Sequence, residues 1–118
     1  MTYLQRFHGV FTAYAVQGTP HCGVMHGRIE CPVEIQVRYR AGAEVLDQDG
    51  FLLDNTWFRQ YLADFYHVQL TISCERVAAL MAEQIMEAAG GRAEWASVDM
   101  EPVHGVHVVC EHELAVAV

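Results

Sequence analysis

A thiol and an imidazole lie close together near the start of this sequence, at Cys22 and His26 within the segment 21–28, HCGVMHGR. Such a pair can be a nucleophile with its base, half of a metal site, or two packed side chains. A cysteine reacts as its thiolate, which forms in a polar and partly exposed setting. The loop Gly18-Thr19-Pro20 just before the segment favours exposure. Segment 21–28 is therefore the candidate chemical centre, with the three interpretations open.

The composition is that of one folded domain spanning residues 1–118, with 53% hydrophobic and 19% charged residues. The formal net charge is -8, and the sequence contains no lysine. The arginines are spread along the chain and form no stripe that could neutralise phosphates, so we expect no nucleic acid partner. The absence of lysine also excludes Schiff-base chemistry and a lysine acid or base.

The apolar runs are short, and segments such as 106–110 and 114–118 are far below the roughly 18 residues that a membrane span requires. The first residues show no cationic region followed by an apolar stretch, which argues against a secretory signal. We therefore expect a cytoplasmic protein with no membrane partner. The cysteines have no zinc-ribbon spacing and no export signal to favour disulfides, so we expect free thiols at Cys22, Cys31, Cys74 and Cys110.

The elements that must position these residues follow from hydrophobic periodicity. Residues 28–40 alternate between apolar and polar side chains, which predicts a long antiparallel strand with one wet face, paired in a hairpin with residues 7–16. Apolar residues at helical spacing predict one helix between Asp54 and His67. A second helix is predicted from Ser73 to the glycines at 90 and 91. Alternation returns after residue 93 and predicts a second hairpin.

This order predicts an α+β domain of ββααββ topology, a four-stranded antiparallel sheet with both helices on one face. Such a sheet has two open edges with unpaired backbone N–H and C=O groups. Association of these edges between subunits in a ring would pair those groups. We therefore expect a homo-oligomer, a hexamer or a related ring. Clefts gather at interfaces, so a site between subunits is expected.

Five motifs run in order along nearly the whole chain: Cys22-Gly-Val-Met-His26-Gly, Gly50-Phe-Leu-Leu-Asp54, His67-Val-Gln-Leu70, Ser73-Cys-Glu75-Arg-Val-Ala78, and Glu101 at the end of the third long strand. Together they resemble the 6-pyruvoyl-tetrahydropterin synthase and 6-carboxy-tetrahydropterin synthase family. That resemblance implies the tunnelling fold, a ring-forming ββααββ subunit. It also implies a pterin-like small-molecule ligand and a carbon–oxygen lyase.

The resemblance implies a role for each matching residue. In the family, three histidines hold a zinc, a cysteine is the base, a histidine relays protons and a glutamate anchors the pterin ring. Carried over, Cys22 is the base, His67 is the relay, and Glu101 is the ring anchor, with Asp54 also on the substrate. His26 is a zinc ligand if zinc is retained. Zinc polarises substrate oxygens so that a thiolate can remove the neighbouring proton.

Three positions depart from the family pattern. The second zinc histidine, two residues after His26, is replaced by Arg28, and the histidine expected on the first strand is Ala15. One imidazole cannot hold zinc, which takes three protein ligands in a catalytic site. We expect no cofactor other than a doubtful zinc. The aspartate that precedes the relay histidine is replaced by Tyr66.

Arg28 brings a permanent cation with a planar fork of donors into the former metal position. We hypothesise that it binds an anionic or carbonyl-bearing tail of a pterin-like or purine-like ligand. The alternative is a solvated arginine on the strand face.

Three functional classes remain. The first is an enzyme of the tetrahydropterin synthase type, retained or diverged, which binds and converts a reduced pterin resembling dihydroneopterin triphosphate. The second is a non-catalytic pterin-binding, purine-binding or scaffold protein on the same fold. The third is dihydroneopterin epimerase-like chemistry, since the missing lysine counts against the related aldolase.

Overall fold

The computed structural model describes residues 1–18 and 21–114, and only the backbone of Ala43. Two strands come first, then two helices separated by a very short strand, then two further strands. The elements are β1 (Leu4–Ala15), β2 (Gly27–Tyr39), α1 (Asn55–Ala63), β3 (Gln69–Leu70), α2 (Cys74–Ala89), β4 (Ala93–Val103) and β5 (Val106–Glu113). Short 3-10 turns lie at Ala43–Val45 and Gly90–Arg92. The predicted strand and helix order is confirmed.

The strands form one sheet in the order β3-β1-β2-β4-β5. The four long strands pair antiparallel, as predicted. β3 is a fifth strand that the periodicity did not predict, and it pairs parallel to β1 at Tyr14↔Gln69 and Ala15↔Leu70. Two residues are too few to show an alternating pattern, so this strand becomes visible only through its pairing with β1.

The two faces of the sheet differ sharply because side chains alternate along each strand. On β2, every second residue from Ile29 to Tyr39 is buried beneath the helices. The intervening side chains, including Glu34 and Arg38, lie on the helix-free face, where Arg38 stacks 4.9 Å from the ring centre of Trp95. The helix face therefore holds the core, and the helix-free face carries polar side chains on its central strand.

Helix α1 begins where it was predicted but ends four residues before His67. Asp54 caps it by accepting a hydrogen bond from the Thr56 backbone N–H at 2.8 Å. At the other end, Phe65 N–H and Tyr66 N–H donate to the carbonyls three residues back, and this tighter turn ends the helix. Phe65 still packs on Phe11 of β1, with ring centres 5.1 Å apart.

Helix α2 agrees with its predicted limits. The Ser73 hydroxyl accepts a hydrogen bond from Arg76 N–H at 3.3 Å, and the helix ends at Gly90 with φ 64. Its apolar face, which includes Val77, Met81 and Ile85, is fully buried against the sheet. No helix in the described part of the chain is long and apolar enough to cross a membrane.

Pro32 lies inside β2, which is a central strand. It pairs with Val10 of β1, while pairing of β2 with β4 begins only at Val33↔Met100. A proline has no backbone N–H to donate to a neighbouring strand. Pro32 lies just outside the segment that pairs with β4, so no hydrogen bond to β4 is lost. The first part of β2 is consequently open on its β4 side, and the turn that carries Cys22 lies there.

Candidate functional site

The turn before β2 is a tight loop held at both ends. His21 and Val24 exchange backbone hydrogen bonds of 2.8 and 2.9 Å, and Cys22 and Gly23 between them have φ 48 and 81. A Cβ at Gly23 would come within 2.6 Å of the Pro102 carbonyl oxygen. Only glycine fits this close approach with a positive φ. The turn is therefore fixed against the end of β4, next to Glu101.

His21 ties the same turn to the start of α2. It is 1% exposed, and its Nδ1 lies 2.5 Å from the Ile72 carbonyl oxygen. A carbonyl only accepts, so Nδ1 carries the proton and donates. His21 thus has a structural partner that positions Cys22 relative to Cys74, the first residue of α2.

Cys22 is not exposed, and the expectation from the preceding loop was wrong. Its exposure is 3%, because the turn folds inward over the sheet. Its thiol interacts with those of Cys31 on β2 and Cys74 on α2, which are equally buried. We call Cys22, Cys31 and Cys74 the thiol cluster. Next to it, the Sγ of Cys74 lies 3.9 Å from the Sδ of Met100.

The pKa values of the three thiols in the cluster are shifted in different directions. Hydrogen bonding to Cys31 and Cys74, together with burial, raises the pKa of Cys22. Hydrogen bonds from Cys22 and then Cys31 lower the pKa of Cys74, and its place at a helix N-terminus acts in the same direction. The negative charge of a thiolate is therefore best accommodated at Cys74. Cys22 stays protonated in this arrangement, which does not favour a role as a base.

Cys31 lies near the end of β4. Its Sγ donates to the Pro32 carbonyl oxygen at 3.5 Å, and the backbone of Glu101 acts to lower the pKa of its thiol. The hydrogen bond from Cys22 lowers the pKa of Cys31, but the hydrogen bond with Cys74 and burial outweigh it, and the pKa is raised to about 12. Cys22 and Glu101 are thus close along the backbone, but the Cys22 thiol lies in the core on the helix face and the Glu101 carboxylate lies on the opposite, helix-free face.

His26 and Arg28 lie at the start of β2, outside the thiol cluster. His26 is exposed, and Arg28 pairs across the sheet with Tyr14. The guanidinium of Arg28 forms an ion pair with Glu30 at 2.9 Å on the helix-free face. The cation is therefore partly neutralised by its neighbour on the strand.

The side chains around His26 do not fit the zinc that the family resemblance implies. Ala15 and Arg28 replace the other two histidines and provide no ligand atom for a divalent cation. Across residues 1–18 and 21–114, no three histidine, cysteine or acidic side chains are grouped so that they could hold a metal ion. We accordingly assign no catalytic step to zinc.

His67 lies at the same end of the sheet as Arg28. It is exposed and precedes β3, whose neighbour Val68 accepts a hydrogen bond from Tyr14 N–H at 3.0 Å. Because Tyr14 also pairs with Arg28, β3, β1 and β2 bring His67 and Arg28 to the same end of the sheet. Two strands, β1 and β2, separate β3, which follows His67, from β4, which carries Glu101.

Glu101 lies on the helix-free face within a small network that the sequence analysis did not predict. His107 of β5 has its Nδ1 2.7 Å from Asp99 Oδ1 and its Nε2 3.0 Å from Glu101 Oε2. These three side chains line a cleft of about 220 Å³, together with His8 and Glu34 among others. The alternating pattern of β4 could have indicated that Asp99 and Glu101 share a face. The partner on β5 depends on a register that sequence does not give.

Asp54 is far from the other expected site residues within one chain. It follows Leu53, whose carbonyl accepts a hydrogen bond from Gln5 near the start of β1, whereas Cys22 lies beyond the far end of that strand. Ten residues of strand separate Gln5 from Ala15, or about 33 Å. Asp54 lines a separate cleft of about 580 Å³ with Phe51 and Asn55 among others.

As a helix cap, Asp54 already has partners. The Thr56 backbone N–H and then the Thr56 hydroxyl lower the pKa of its carboxyl. A ligand at this residue would share the carboxylate with the N-terminus of α1.

Comparison with solved structures identifies the fold. The chain superposes on a 6-pyruvoyltetrahydropterin synthase of Plasmodium vivax, solved as a variant of a catalytic residue, with a TM-score of 0.63 and 8% identity over 97% of this chain and 99% of that one. The 6-pyruvoyl tetrahydropterin synthase of Plasmodium falciparum gives a TM-score of 0.57 and 9% identity over 94% and 99%. No protein-family model and no curated protein sequence matches. The chain has the tunnelling fold, as expected, and these identities establish the fold alone.

Proposed function

We propose that the chain binds a reduced pterin or a closely related ring through the carboxylate of Glu101, at a site between subunits of a homo-oligomeric ring. The observation that carries the proposal is the position of Glu101 on a tunnelling fold. Its side chain is 25% exposed, faces a cleft, and lies next to the fixed turn of Cys22 and Gly23. An ionised carboxylate accepts two parallel hydrogen bonds from an amino-pyrimidinone edge.

Arg28 suits a ligand tail that carries negative charge. Arg28 and Pro32 are both on the helix-free face of β2, and Pro32 precedes Val33, the partner of Met100. Arg28 therefore lies about 13 Å along the sheet from Glu101, four residues at the rise of a strand. Binding of a phosphate or carboxylate by Arg28 would compete with Glu30 for the guanidinium.

The geometry favours binding over the usual lyase chemistry. Cys22 is buried with a raised pKa on the opposite face of the sheet from the Glu101 carboxylate, and the side chains near His26 do not fit zinc. Roles for Cys22 as base and His67 as relay would require the turn at 21–24 to open. Pterin binding with lapsed or diverged chemistry is therefore the proposal, and an epimerase-like reaction is an outcome of its test.

The assembly is part of the proposal because Asp54 can reach Glu101 only across a subunit boundary. The outer edges of β1 and β5 are free of partner strands along most of their length in the described chain. A ring that pairs these edges would satisfy their backbone groups.

Pterin affinity tests the proposal directly. Fluorescence titration with 7,8-dihydroneopterin and with a deazapurine should show saturable binding, and Glu101→Gln should weaken it at least about tenfold because a charged acceptor is lost. Glu111→Gln, on β5 and also exposed, is the matched control and should bind normally. Absence of binding by the unmodified protein, or equal binding by Glu101→Gln, contradicts the proposal.

Dihydroneopterin triphosphate tests two further points: whether Arg28 binds the negatively charged tail of the ligand, and whether the protein converts the ligand. Arg28→Ala should weaken binding of dihydroneopterin triphosphate but leave dihydroneopterin unaffected, whereas Glu30→Gln should strengthen binding of the triphosphate by freeing the guanidinium. Equal affinities in all three proteins would remove the role of Arg28. Mass analysis after incubation, with and without added zinc, distinguishes loss of triphosphate from epimerisation and from simple binding.

A further inference from the structure

His107 contacts two carboxylates at once, and the backbone explains how. Asp99 and Glu101 are two residues apart on β4, so both side chains lie on the helix-free face. The β4–β5 hairpin returns through an irregular register between Met100 and Val103, which brings His107 opposite both of them. Nδ1 of its ring is 2.7 Å from Asp99, and Nε2 is 3.0 Å from Glu101.

An imidazole flanked by carboxylates at both nitrogens is stabilised in its doubly protonated form, because carboxylates accept and do not donate. The hydrogen bond and charge of Asp99, and then the charge of Glu101, raise the pKa of His107 above its ordinary value. The network is then an imidazolium between two anions, with one net negative charge. Removing one proton from the imidazolium of His107 leaves two net negative charges, and one of the two carboxylates then has no N–H donor from His107.

The other charged groups near the cleft are either paired with another charge or fully exposed. Glu34 of β2 is held by Arg6 of β1 at 2.7 Å, and His8 is 3.8 Å from the same carboxylate oxygen. His104 in the hairpin turn is fully exposed and 3.8 Å from Glu101 Oε1, which is too far for a hydrogen bond. His107 is therefore the histidine in closest contact with Glu101.

Resting on the ring-anchoring role proposed for Glu101, we propose that His107, held by Asp99, is the positioning residue that fixes this carboxylate for a ligand edge with two adjacent N–H donors. The imidazolium engages Oε2 and orients the carboxyl plane. The oriented carboxylate can then accept both hydrogen bonds of the ligand edge. An amino-pyrimidinone is the chemical class that presents such an edge.

The pH dependence follows from the charge of His107. Below its raised pKa, His107 is charged and holds Glu101 in place; as the pH rises through that pKa, the proton is lost and affinity falls. His8 and His104 are the other histidines at the cleft, so the profile is also measured in a protein with His8→Gln and His104→Gln.

The experiment combines NMR titration of the imidazole of His107 with dihydroneopterin affinity across the same pH range. In the unmodified protein, the loss of affinity on the alkaline side should coincide with the titration of His107. His107→Gln should bind at least about fivefold more weakly at neutral pH, the loss of one charge-assisted contact, and should lack the alkaline step. Asp99→Asn should move that step to lower pH. His112→Gln, on the same strand and away from this network, is the matched control and should behave normally.

The possible failures are distinct. Unchanged affinity and an unchanged alkaline step in His107→Gln would overturn the positioning role and leave pterin binding intact. An unmodified protein without affinity for dihydroneopterin would overturn the proposed function itself, and the positioning role with it. A step that disappears only with the His8 and His104 substitutions would assign the pH dependence to those histidines and contradict the inference.

Discussion

Burial changes what Cys22 can do at the scale of a single residue. A lone cysteine in a loop would be a candidate nucleophile, whereas Cys22 is 3% exposed, and its neighbours Cys31 and Cys74 together with burial raise its pKa, which keeps it in its protonated form. The position of easiest deprotonation moves to Cys74, at the start of α2. Chemistry at this site would therefore begin with an opening of the turn that carries Cys22.

Thiol labelling tests this arrangement of the cysteines. Under native conditions, one thiol per chain, Cys110, should react rapidly with a small aromatic disulfide reagent, because the other three are at most 5% exposed. The thiols of the cluster should react only as fast as the protein opens, at least about a hundredfold more slowly for an opening that costs a few kcal/mol. Cys110→Ser is the control and should abolish the rapid phase. A rapid phase that persists in Cys110→Ser would show that the cluster is open in solution.

At the scale of elements, α2 provides more than a cover for the sheet. Its N-terminus holds Cys74 in the thiol cluster, and the preceding Ile72 accepts the hydrogen bond from His21. The helix therefore joins two parts of the site, the turn at 21–24 and the end of β4. Asp54 also has a structural role, because it caps the N-terminus of α1. This role is enough to explain an aspartate at that position.

Removing the cap of α2 should weaken both the fold and the cluster. Ser73→Ala should lower the free energy of unfolding by about 1 kcal/mol, the usual cost of losing a cap hydroxyl, here the one bound to Arg76 N–H. It should also speed labelling of Cys74, because the first turn of the helix frays more often. Urea denaturation and mass-resolved labelling measure the two effects. Thr71→Ala, an exposed position before the helix, is the control, and an equal loss of stability there would contradict the capping role.

At the scale of the whole molecule, the sheet leaves apolar side chains uncovered at its two sides. Val10 near one edge and Val103, Val106 and Val109 near the other are each more than half exposed. Apolar side chains beside open strand edges are typical of surfaces that another chain covers. This pattern supports the proposed ring. That residues 1–118 form one domain remains a prediction.

Charges placed at the β5 side should separate the subunits of such a ring. Light scattering of the unmodified protein should give a multiple of the 13.3 kDa chain mass. The double change Val106→Lys and Val109→Lys should shift it toward the monomer mass, because two desolvated charges oppose association. Leu80→Lys, on the exposed side of α2 and 40% accessible, is the control and should leave the mass unchanged. A monomer without any substitution would contradict the ring.

The sequence by itself was sufficient for the long elements. Residues 28–40 alternate over a span that only a strand explains, and Ser73 with the glycines at 90 and 91 marks both ends of α2. These signals are local, since each depends on neighbours within one or two turns of chain. The strand and helix order could therefore be predicted from local signals, whereas the tunnelling fold was expected from the resemblance of the five motifs to the tetrahydropterin synthase family.

Only the tertiary structure decided what surrounds the chemical residues. The burial of Cys22, its contact with Cys31 and Cys74, and the bridge from His107 to Asp99 and Glu101 join residues far apart in the chain. Such contacts depend on strand register and on how α2 packs, which no local pattern encodes. The short β3 and the early end of α1 were missed for the same reason, because hydrogen bonds to distant or adjacent segments outweigh weak local preference. Cys22 and Glu101 could be named from the sequence, whereas Asp99 and His107, and the partners of every site residue, followed only from the fold.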